Sequence, residues 1–176
     1  MKLTISQLSK ATGVNPIGAN TDSIISSPLT DSRSLLDPAE TIFFALTTSC
    51  NDGHRYIRDL YRNGVRNFVI SNDVLLKTET FDDAVYFVPD CTVTEFLQQS
   101  ACYIRSQVDC PVIGITGSRG KTIVKEMIAE SCSNRRVTTS PRSWNSQIGV
   151  PLSVWRLDGD TQLAVFEAGI SRPGEM

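Results

Sequence analysis

The chain has 176 residues, of which 40% are apolar and 20% are charged, and its formal net charge is −2. This length allows one domain or two small ones, and the apolar content excludes a generally disordered chain. The small negative charge argues against a general nucleic-acid binder, which usually carries a basic surplus. No stretch reaches the roughly 18 apolar residues that cross a bilayer, and the start lacks a signal peptide's apolar stretch, so a cytoplasmic protein is expected.

The cysteines are odd in number and widely spaced, and the chain has a single histidine. Because no CxxC pair is present, neither a structural zinc site nor a disulfide framework is expected. We expect these cysteines to be reduced and to serve as small buried apolar groups. They are Cys50, Cys91, Cys102, Cys110 and Cys132.

The first 107 residues alternate between short helical and short extended patterns. A brief helix is expected from Ser6, as its capping residue, to Lys10, with Gly13 ending it. A second helix is expected after the turn at residues 51–53. Apolar, β-forming stretches predict strands over residues 41–46, 67–71 and 84–88. This alternation predicts a small α/β unit.

An amphipathic helix is expected from Thr92 onward, because apolar residues then recur every three or four positions. Pro111 cannot continue that helix, and a new apolar strand begins directly after it. The sequence therefore predicts two domains, residues 1–109 and residues 110–176.

The second half reads as a strand, a glycine loop, a helix and two further strands. The helix is expected over residues 121–133, with Val124, Met127 and Ile128 on its apolar side. The strands are expected over residues 112–116, 136–139 and 162–166. This order is typical of the opening of a parallel, helix-covered sheet. A doubly wound sheet has roughly five or six strands and about three are found here, so only its start is expected.

The segment 114–122 carries the clearest chemical signal, because its three glycines are followed by Lys121 and Thr122. Such a loop directs backbone N–H groups and the positive end of a helix at phosphate oxygens. Lys121 would reach the β- and γ-phosphates of a nucleotide, and the Thr122 hydroxyl would bind Mg²⁺. The general pattern has its first glycine where this chain has Ile115. A glycine-rich turn with an incidental Lys-Thr pair is the alternative.

An acidic residue, Glu167, ends the last apolar strand. Ligands of open α/β sheets bind outside the carboxyl ends of strands, so Glu167 is expected to face the same crevice as the glycine loop. A carboxylate in that place is a natural ligand for Mg²⁺ beside a triphosphate. Without the neighbouring loop, a solvated strand end explains Glu167 equally well. The polar stretch 144–152, taken alone, is a loop that leads into a helix started by proline.

Three stretches taken together resemble a known family. The loop reads Gly-x-Thr-Gly-Ser-x-Gly-Lys-Thr, and Asn-x-x-Ile-Gly-Val-Pro from Asn145 and Glu-x-Gly from Glu167 follow it. This set resembles the ATP-binding central domain of the Mur ligases, above all the MurF branch, which adds D-alanyl-D-alanine to a UDP-MurNAc tripeptide. Lys125 and Glu126 are similar to the MurF version of the helix after the loop. Residues 30–54 resemble the DSR and FxAL…DGH segments of the family's UDP-binding domain.

The resemblance implies a small N-terminal α/β UDP-binding domain followed by the start of a P-loop parallel-sheet ATPase domain. It also implies a ligase that uses ATP and Mg²⁺, forms an acyl phosphate on the tripeptide and joins it to D-alanyl-D-alanine. Lys121 and Glu167 are the implied catalytic residues, and Thr122 and Glu167 are the implied metal ligands. The implied nucleotide-binding residues are Gly117, Ser118, Arg119, Gly120, Lys121, Thr122 and Asn145. The implied substrate-binding residues are Asp31, Ser32, Arg33, Thr47, Thr48, Asn51 and His54.

Alternatives remain open in the first half. Asp31 and Arg33 also suit a surface ion pair within a turn. A lone histidine after a glycine turn, such as His54, is more often structural than a ligand. The chain departs from the family pattern at Thr48, where a glycine is usual, and at residues 171–173, to which no role is assigned.

Family enzymes place a carbamylated lysine, further metal ligands and a C-terminal domain beyond the region matched here. The chain is therefore expected to be a fragment that does not ligate alone. It also resembles the MurF-like half of bacterial proteins in which that half is fused to an alanine racemase. The expected partners are small-molecule substrates, with no nucleic acid and no membrane insertion. A non-catalytic UDP-sugar-binding module, a MurE-like ligase and an unrelated P-loop NTPase remain the alternative functions.

Overall fold

The computed structural model describes residues 1–18, 20, 22–71 and 81–169. The chain divides into two compact units, Lys2–Ser100 and a second that begins at Ala101. None of the helices within these described ranges is long and apolar enough to span a bilayer. We keep the sequence-based boundary after residue 109 as a proposal for the domain limits.

The first unit opens with an antiparallel strand pair and continues into a parallel sheet of four strands in chain order. The opening elements are β1 (Leu3–Thr4), α1 (Ile5–Thr12) and β2 (Ile24–Ile25). The sheet and its helices are β3 (Ser27–Leu29), β4 (Thr41–Phe44), α2 (Ile57–Arg62), β5 (Asn67–Val69), β6 (Val85–Phe87) and α3 (Val93–Ser106).

Helix α1 begins one residue earlier than the pattern indicates, and the prediction that Ser6 caps it is wrong. Thr4 is the capping residue, because its side chain accepts the Gln7 N–H at 3.1 Å while the Gln7 side chain accepts the Thr4 N–H at 2.9 Å. This reciprocal pair satisfies two amide groups that a helix start leaves without partners. Gly13 ends the helix in the left-handed conformation, with a φ of 72°, as predicted.

The predicted strands of the first unit are confirmed, each somewhat shorter than its apolar stretch. The strands that the sequence did not reveal are β1, β2 and β3, which have two or three residues each. Strand β3 contains Pro28, which has no N–H to donate and therefore hides a strand pattern. Its place at the edge of the sheet makes the proline tolerable, because an edge strand needs partners on one side only.

Both faces of the parallel sheet are buried, as the continuous apolar runs of β4, β5 and β6 require. On one face of the sheet, the Phe96 ring of α3 lies 6.5 Å from the Phe44 ring and 5.3 Å from the Phe87 ring, measured between centroids. The opposite face carries the main apolar cluster. The main cluster consists of Leu29, Phe43, Ala45, Ile57, Leu60, Val65, Phe68, Ile70, Ala84 and Tyr86.

The second unit contains a parallel three-stranded sheet in the order β7-β9-β8, so its last strand lies in the middle. All of β9 is buried, as expected for a central strand. Its elements are β7 (Val112–Ile115), α4 (Lys121–Ser131), β8 (Val137–Thr139), α5 (Gly149–Val154) and β9 (Leu163–Glu167).

The expected apolar packing of α4 is wrong in part. Val124 and Met127 are 43% and 61% exposed, and the neighbouring Ile123 is 66% exposed. The buried side chain of this helix is instead Lys125. Within the described ranges, these apolar side chains of α4 are therefore not packed into a core, although their spacing in the sequence predicts a buried helix face.

The prediction that the cysteines are buried apolar groups holds for Cys110 but not for Cys50 or Cys102, which are exposed. All five thiols are free. In the portion of the chain that the structure describes, no group of three or more histidine, cysteine or acidic side chains could hold a metal ion.

Candidate functional site: a phosphate loop with a buried carboxylate

The loop between β7 and α4 turns on two glycines with positive φ, Gly117 at 139° and Gly120 at 80°. Residues with a Cβ rarely adopt these angles. A Cβ built on either glycine would meet no described atom within 4 Å, so the space in front of the loop is open. Among the described residues no side chain caps the start of α4, which leaves its first amide groups available to a ligand. An open, uncapped helix start of this kind suits phosphate.

Lys121 is the first residue of α4, and its ammonium group donates to the Gly117 carbonyl oxygen at 2.6 Å. The side chain is therefore folded along the loop and lies beside the open space. Ser118 and Arg119 are exposed at the tip of the same loop. The structure thus gathers the predicted nucleotide-binding residues of segment 117–122 around one turn.

Glu167 ends β9 directly beside the loop, because its register partner in β7 is Ile115. Its carboxylate oxygen Oε2 accepts a hydrogen bond of 3.1 Å from the Thr122 hydroxyl. The Glu167 side chain is only 1% exposed, so the alternative of a solvated strand end is wrong. The two predicted metal ligands therefore meet at the crevice where the sequence predicts them.

Lys125 is a residue of this site that the sequence argument missed. Its side chain is fully buried, and its ammonium nitrogen lies 3.1 Å from Glu167 Oε1. It also donates to the backbone carbonyl oxygens of Ser140 and Arg142, at 2.8 Å each. The available signal was its spacing of three residues from Thr122, which places both side chains on one helix face.

The residues present fit a divalent cation. Glu167 Oε1 lies at an ion-pair distance from Lys125, yet within the described chain this buried oxygen accepts no well-aligned hydrogen bond. Oxygen Oε2 accepts a hydrogen bond from the Thr122 hydroxyl group, which can itself bind a cation. A carboxylate and a hydroxyl at the mouth of a phosphate loop form the hard-oxygen set that Mg²⁺ prefers.

Asn145 forms a backbone hydrogen bond with the segment just after β9. Its backbone carbonyl oxygen accepts the Gly169 N–H at 2.7 Å. A Cβ on Gly169 would lie 3.0 Å from that oxygen and 3.1 Å from the Asn145 side-chain carbon, so a side chain there would require Asn145 to shift by a few tenths of an ångström. The contact places Asn145 beside Gly169, which follows Glu167 by two residues. Its assignment to the nucleotide pocket remains a prediction.

The predicted substrate residues of the first unit follow β3 and β4 at their carboxyl ends. After β3, Arg33 forms two parallel hydrogen bonds with the Asp31 carboxylate, of 2.9 and 2.7 Å, across a turn that contains Ser32. The Arg33 side chain is 87% exposed. The hydrogen bonds to the Asp31 carboxylate raise the pKa of Arg33.

The turn after β4 is closed by its own polar side chains. The Thr48 hydroxyl accepts the Asn51 N–H at 3.1 Å, and the Thr48 N–H donates to the Asn51 carbonyl oxygen at 2.8 Å. The Thr47 hydroxyl donates to Asp52 at 3.3 Å. Thr48, which departs from the glycine of the family pattern, therefore stabilises the turn through its hydroxyl group.

His54 has a buried side chain with protein partners on both ring nitrogens. Its Nδ1 atom lies 2.6 Å from Asp52, and its Nε2 atom lies 3.1 Å from the Ser71 backbone nitrogen. Because the Ser71 N–H donates, Nε2 acts as the acceptor and the proton is on Nδ1. The hydrogen bond from His54 lowers the pKa of Asp52. This geometry favours the structural role for His54, whose contact with a substrate stays a prediction.

Loss of the Arg33 guanidinium is expected to raise the pKa of Asp31. The hydrogen bonds from Arg33 lower the Asp31 pKa from 3.8 to about 2. The pair therefore stabilises the turn fully at a pH above the Asp31 pKa of the unfolded chain, and this stabilisation is lost as the pH falls toward 2. An NMR titration of the Asp31 carboxyl carbon should give a midpoint near 2 in the unmodified chain. In Arg33→Gln the midpoint should move toward 3.8, whereas Arg62→Gln should leave it unchanged.

Comparison with known proteins agrees with the loop and the fold. Residues 115–176 match the Mur ligase middle domain. The UDP-N-acetylmuramoyl-tripeptide–D-alanyl-D-alanine ligase of Borreliella burgdorferi is 32% identical in an alignment of 165 positions, which covers 89% of this chain and 35% of that protein. A crystal structure of MurF from Acinetobacter baumannii superposes with a TM-score of 0.85 at 27% identity, over 99% of this chain and 37% of the other. The chain belongs to the Mur ligase family.

A further family structure, the MurF ligase of Thermotoga maritima, is a complex with ADP. It superposes with a TM-score of 0.71 at 28% identity, over 85% of this chain and 33% of the other. The chain thus spans about a third of the length of the relatives that it matches. Of the two departures from the family pattern, that at residues 171–173 lies outside the described part of the chain.

Proposed function

We propose that this chain supplies the nucleotide-binding loop of a ligase that uses ATP and Mg²⁺ to add D-alanyl-D-alanine to a UDP-MurNAc tripeptide. The observation that carries the proposal is the 3.1 Å contact between Thr122 and Glu167 beside the open glycine loop. The match to relatives named for this reaction supports the choice of substrates. The first unit would hold the uridine end of the substrate at the turns after β3 and β4.

In the proposed reaction the tripeptide carboxylate takes the terminal phosphoryl group of ATP, and the amine of D-alanyl-D-alanine then displaces phosphate to form the amide. Positioning and charge neutralisation supply most of the catalysis in phosphoryl transfer. Amide groups of residues 117–120 would hold phosphate oxygens, and Lys121 would neutralise the terminal phosphates. Thr122 and Glu167 would hold the Mg²⁺ ion, which supplies charge stabilisation when bound.

A binding module for UDP-sugars is the second candidate function. It is favoured by the exposed Arg33 guanidinium, which can leave Asp31 and bind diphosphate oxygens in its place. In that case the first unit would bind UDP while the glycine loop had no ligand.

Separate calorimetric titrations of the 176-residue chain with Mg·ATP and with UDP test the proposal. Binding of Mg·ATP is expected, and binding of UDP alone would instead support the module. Thr122→Val should reduce the Mg²⁺-dependent part of the ATP affinity by about tenfold, because the hydroxyl ligand is lost while the side-chain shape is kept. Thr122→Ser retains the hydroxyl and serves as the matched control. Equal affinities for the two variants would contradict the assigned role.

A further inference from the structure

Lys125 occupies a position that the proposed chemistry does not require, yet it is the buried residue of α4. An unpaired charge is costly in a protein interior, so a fully buried lysine needs strong partners. Its partners are two backbone carbonyl oxygens at 2.8 Å and the buried Glu167 carboxylate at 3.1 Å.

The ammonium group has three hydrogens for these contacts. Two are directed to the carbonyl oxygens of Ser140 and Arg142. One carboxylate oxygen each of the buried Glu167 and the exposed Glu126 also lies near the same nitrogen, at 3.1 and 3.2 Å. Within the described residues, Glu167 Oε1 is therefore at an ion-pair distance from Lys125 but accepts no well-aligned hydrogen bond.

The two oxygens of Glu167 are divided between residues on one face of α4. Lys125 attracts Oε1, and Thr122, three residues earlier, contacts Oε2 at 3.1 Å. The carboxylate is thereby held with Oε2 next to the hydroxyl that would share the cation. The same lysine holds the carbonyl of Arg142, a non-glycine residue with a φ of 49°, three residues before Asn145.

We propose that Lys125 is a positioning residue that orients the Glu167 carboxylate, through Oε1, so that Oε2 and the Thr122 hydroxyl face the cation together. This inference rests on the proposed function, because it assigns Lys125 a role in nucleotide binding with Mg²⁺. Lys125 touches neither nucleotide nor cation in this scheme. Its effect should therefore appear in the dependence of nucleotide affinity on Mg²⁺ and not in the affinity measured without the metal.

The test is calorimetric titration of the full 176-residue chain with ADP, once with Mg²⁺ and once with a chelator. Loss of a residue that orients a metal ligand typically weakens metal affinity by about 10–100-fold. Lys125→Met should reduce the Mg²⁺-dependent gain in ADP affinity by about tenfold or more and leave the affinity with chelator nearly unchanged. Glu126→Gln is the matched control, because it removes the exposed partner of the same ammonium group and should preserve the gain.

A double variant separates positioning from general stability and does not require Lys125→Met to fold by itself. Glu167→Gln removes the carboxylate that Lys125 orients, so adding Lys125→Met to it should cause no further loss of the Mg²⁺-dependent gain. The double variant also avoids an unpaired buried carboxylate, so it should melt at a higher temperature than Lys125→Met.

The inference is overturned if Lys125→Met weakens ADP binding equally with Mg²⁺ and with chelator, or if the double variant loses more of the gain than Glu167→Gln. It is also overturned if Glu126→Gln reproduces the effect. These outcomes differ from failure of the proposed function, in which the unmodified chain would show no ADP binding that depends on Mg²⁺.

Discussion

Substitution of Lys121 by alanine is expected to lower the affinity of the chain for Mg·ATP by about 100-fold. A hydrogen bond between charged groups contributes about 1.5–3 kcal/mol. The alanine variant loses such a bond between the Lys121 ammonium group and the terminal phosphates. The ammonium group already lies along the loop, bonded to the Gly117 carbonyl oxygen at 2.6 Å, so little reorganisation is needed when phosphate binds. Calorimetric titration with Mg·ATP measures the change.

The control for Lys121→Ala is Arg156→Ala, which removes one exposed positive charge from the same unit. It should change the affinity by less than about threefold, because exposed charges outside a binding site are strongly screened. Similar losses in the two variants would show that net charge, and not the position of Lys121, governs nucleotide binding. A loss below about tenfold for Lys121→Ala would contradict its phosphate contact.

The largest expected loss of stability follows substitution of Phe68 by alanine. Phe68 is fully buried on β5, and its ring lies 5.6 Å from the Tyr86 ring, between centroids, in the main apolar cluster. Removing such a ring forfeits its burial and leaves a cavity, at a cost of about 3–5 kcal/mol in the free energy of unfolding. Urea denaturation followed by far-ultraviolet circular dichroism measures this quantity.

Leu36→Ala provides the matched apolar truncation at the surface of the same unit. Leu36 is 93% exposed, so its truncation should change the free energy of unfolding by no more than about 0.5 kcal/mol. A cost for Phe68→Ala close to that of Leu36→Ala would mean that the sheet does not pack around Phe68 as described. The comparison requires that the unfolding free energy falls with urea concentration at the same slope in both variants, because a changed slope indicates a changed denatured or native state.

Local patterns were sufficient for much of the fold. The strand over residues 41–46 was predicted from a short apolar run of β-forming residues, and the helix from Thr92 was predicted from apolar residues that recur every three or four positions. The short strands β1, β2 and β3 were missed, since two or three residues carry no measurable period and Pro28 contradicts a strand. Strands of this kind form because a neighbouring strand supplies their hydrogen-bond partners.

In the candidate site, too, features set by neighbouring residues could be predicted, whereas features set by distant residues could be predicted only in part. Glycines, a lysine and a threonine between a strand and a helix are enough to predict a phosphate loop, because the backbone conformation of such a loop depends on residues adjacent in the chain. The pairing of Thr122 with Glu167 joins residues 45 positions apart and could only be inferred from the general geometry of parallel sheets. The apolar side of α4 was misjudged, because burial depends on what packs against a helix.

The order of residues along this chain was enough to predict the α/β class, the glycine loop between a strand and a helix, and the acidic strand end, because each follows from contacts within a few residues. Only the tertiary structure decided that β9 lies between β7 and β8, that Glu167 is buried, and that Lys125 points into the site. A buried charge needs partners, and Ser140, Arg142 and Glu167, which contact the Lys125 ammonium group, are 15 or more positions from it in the chain.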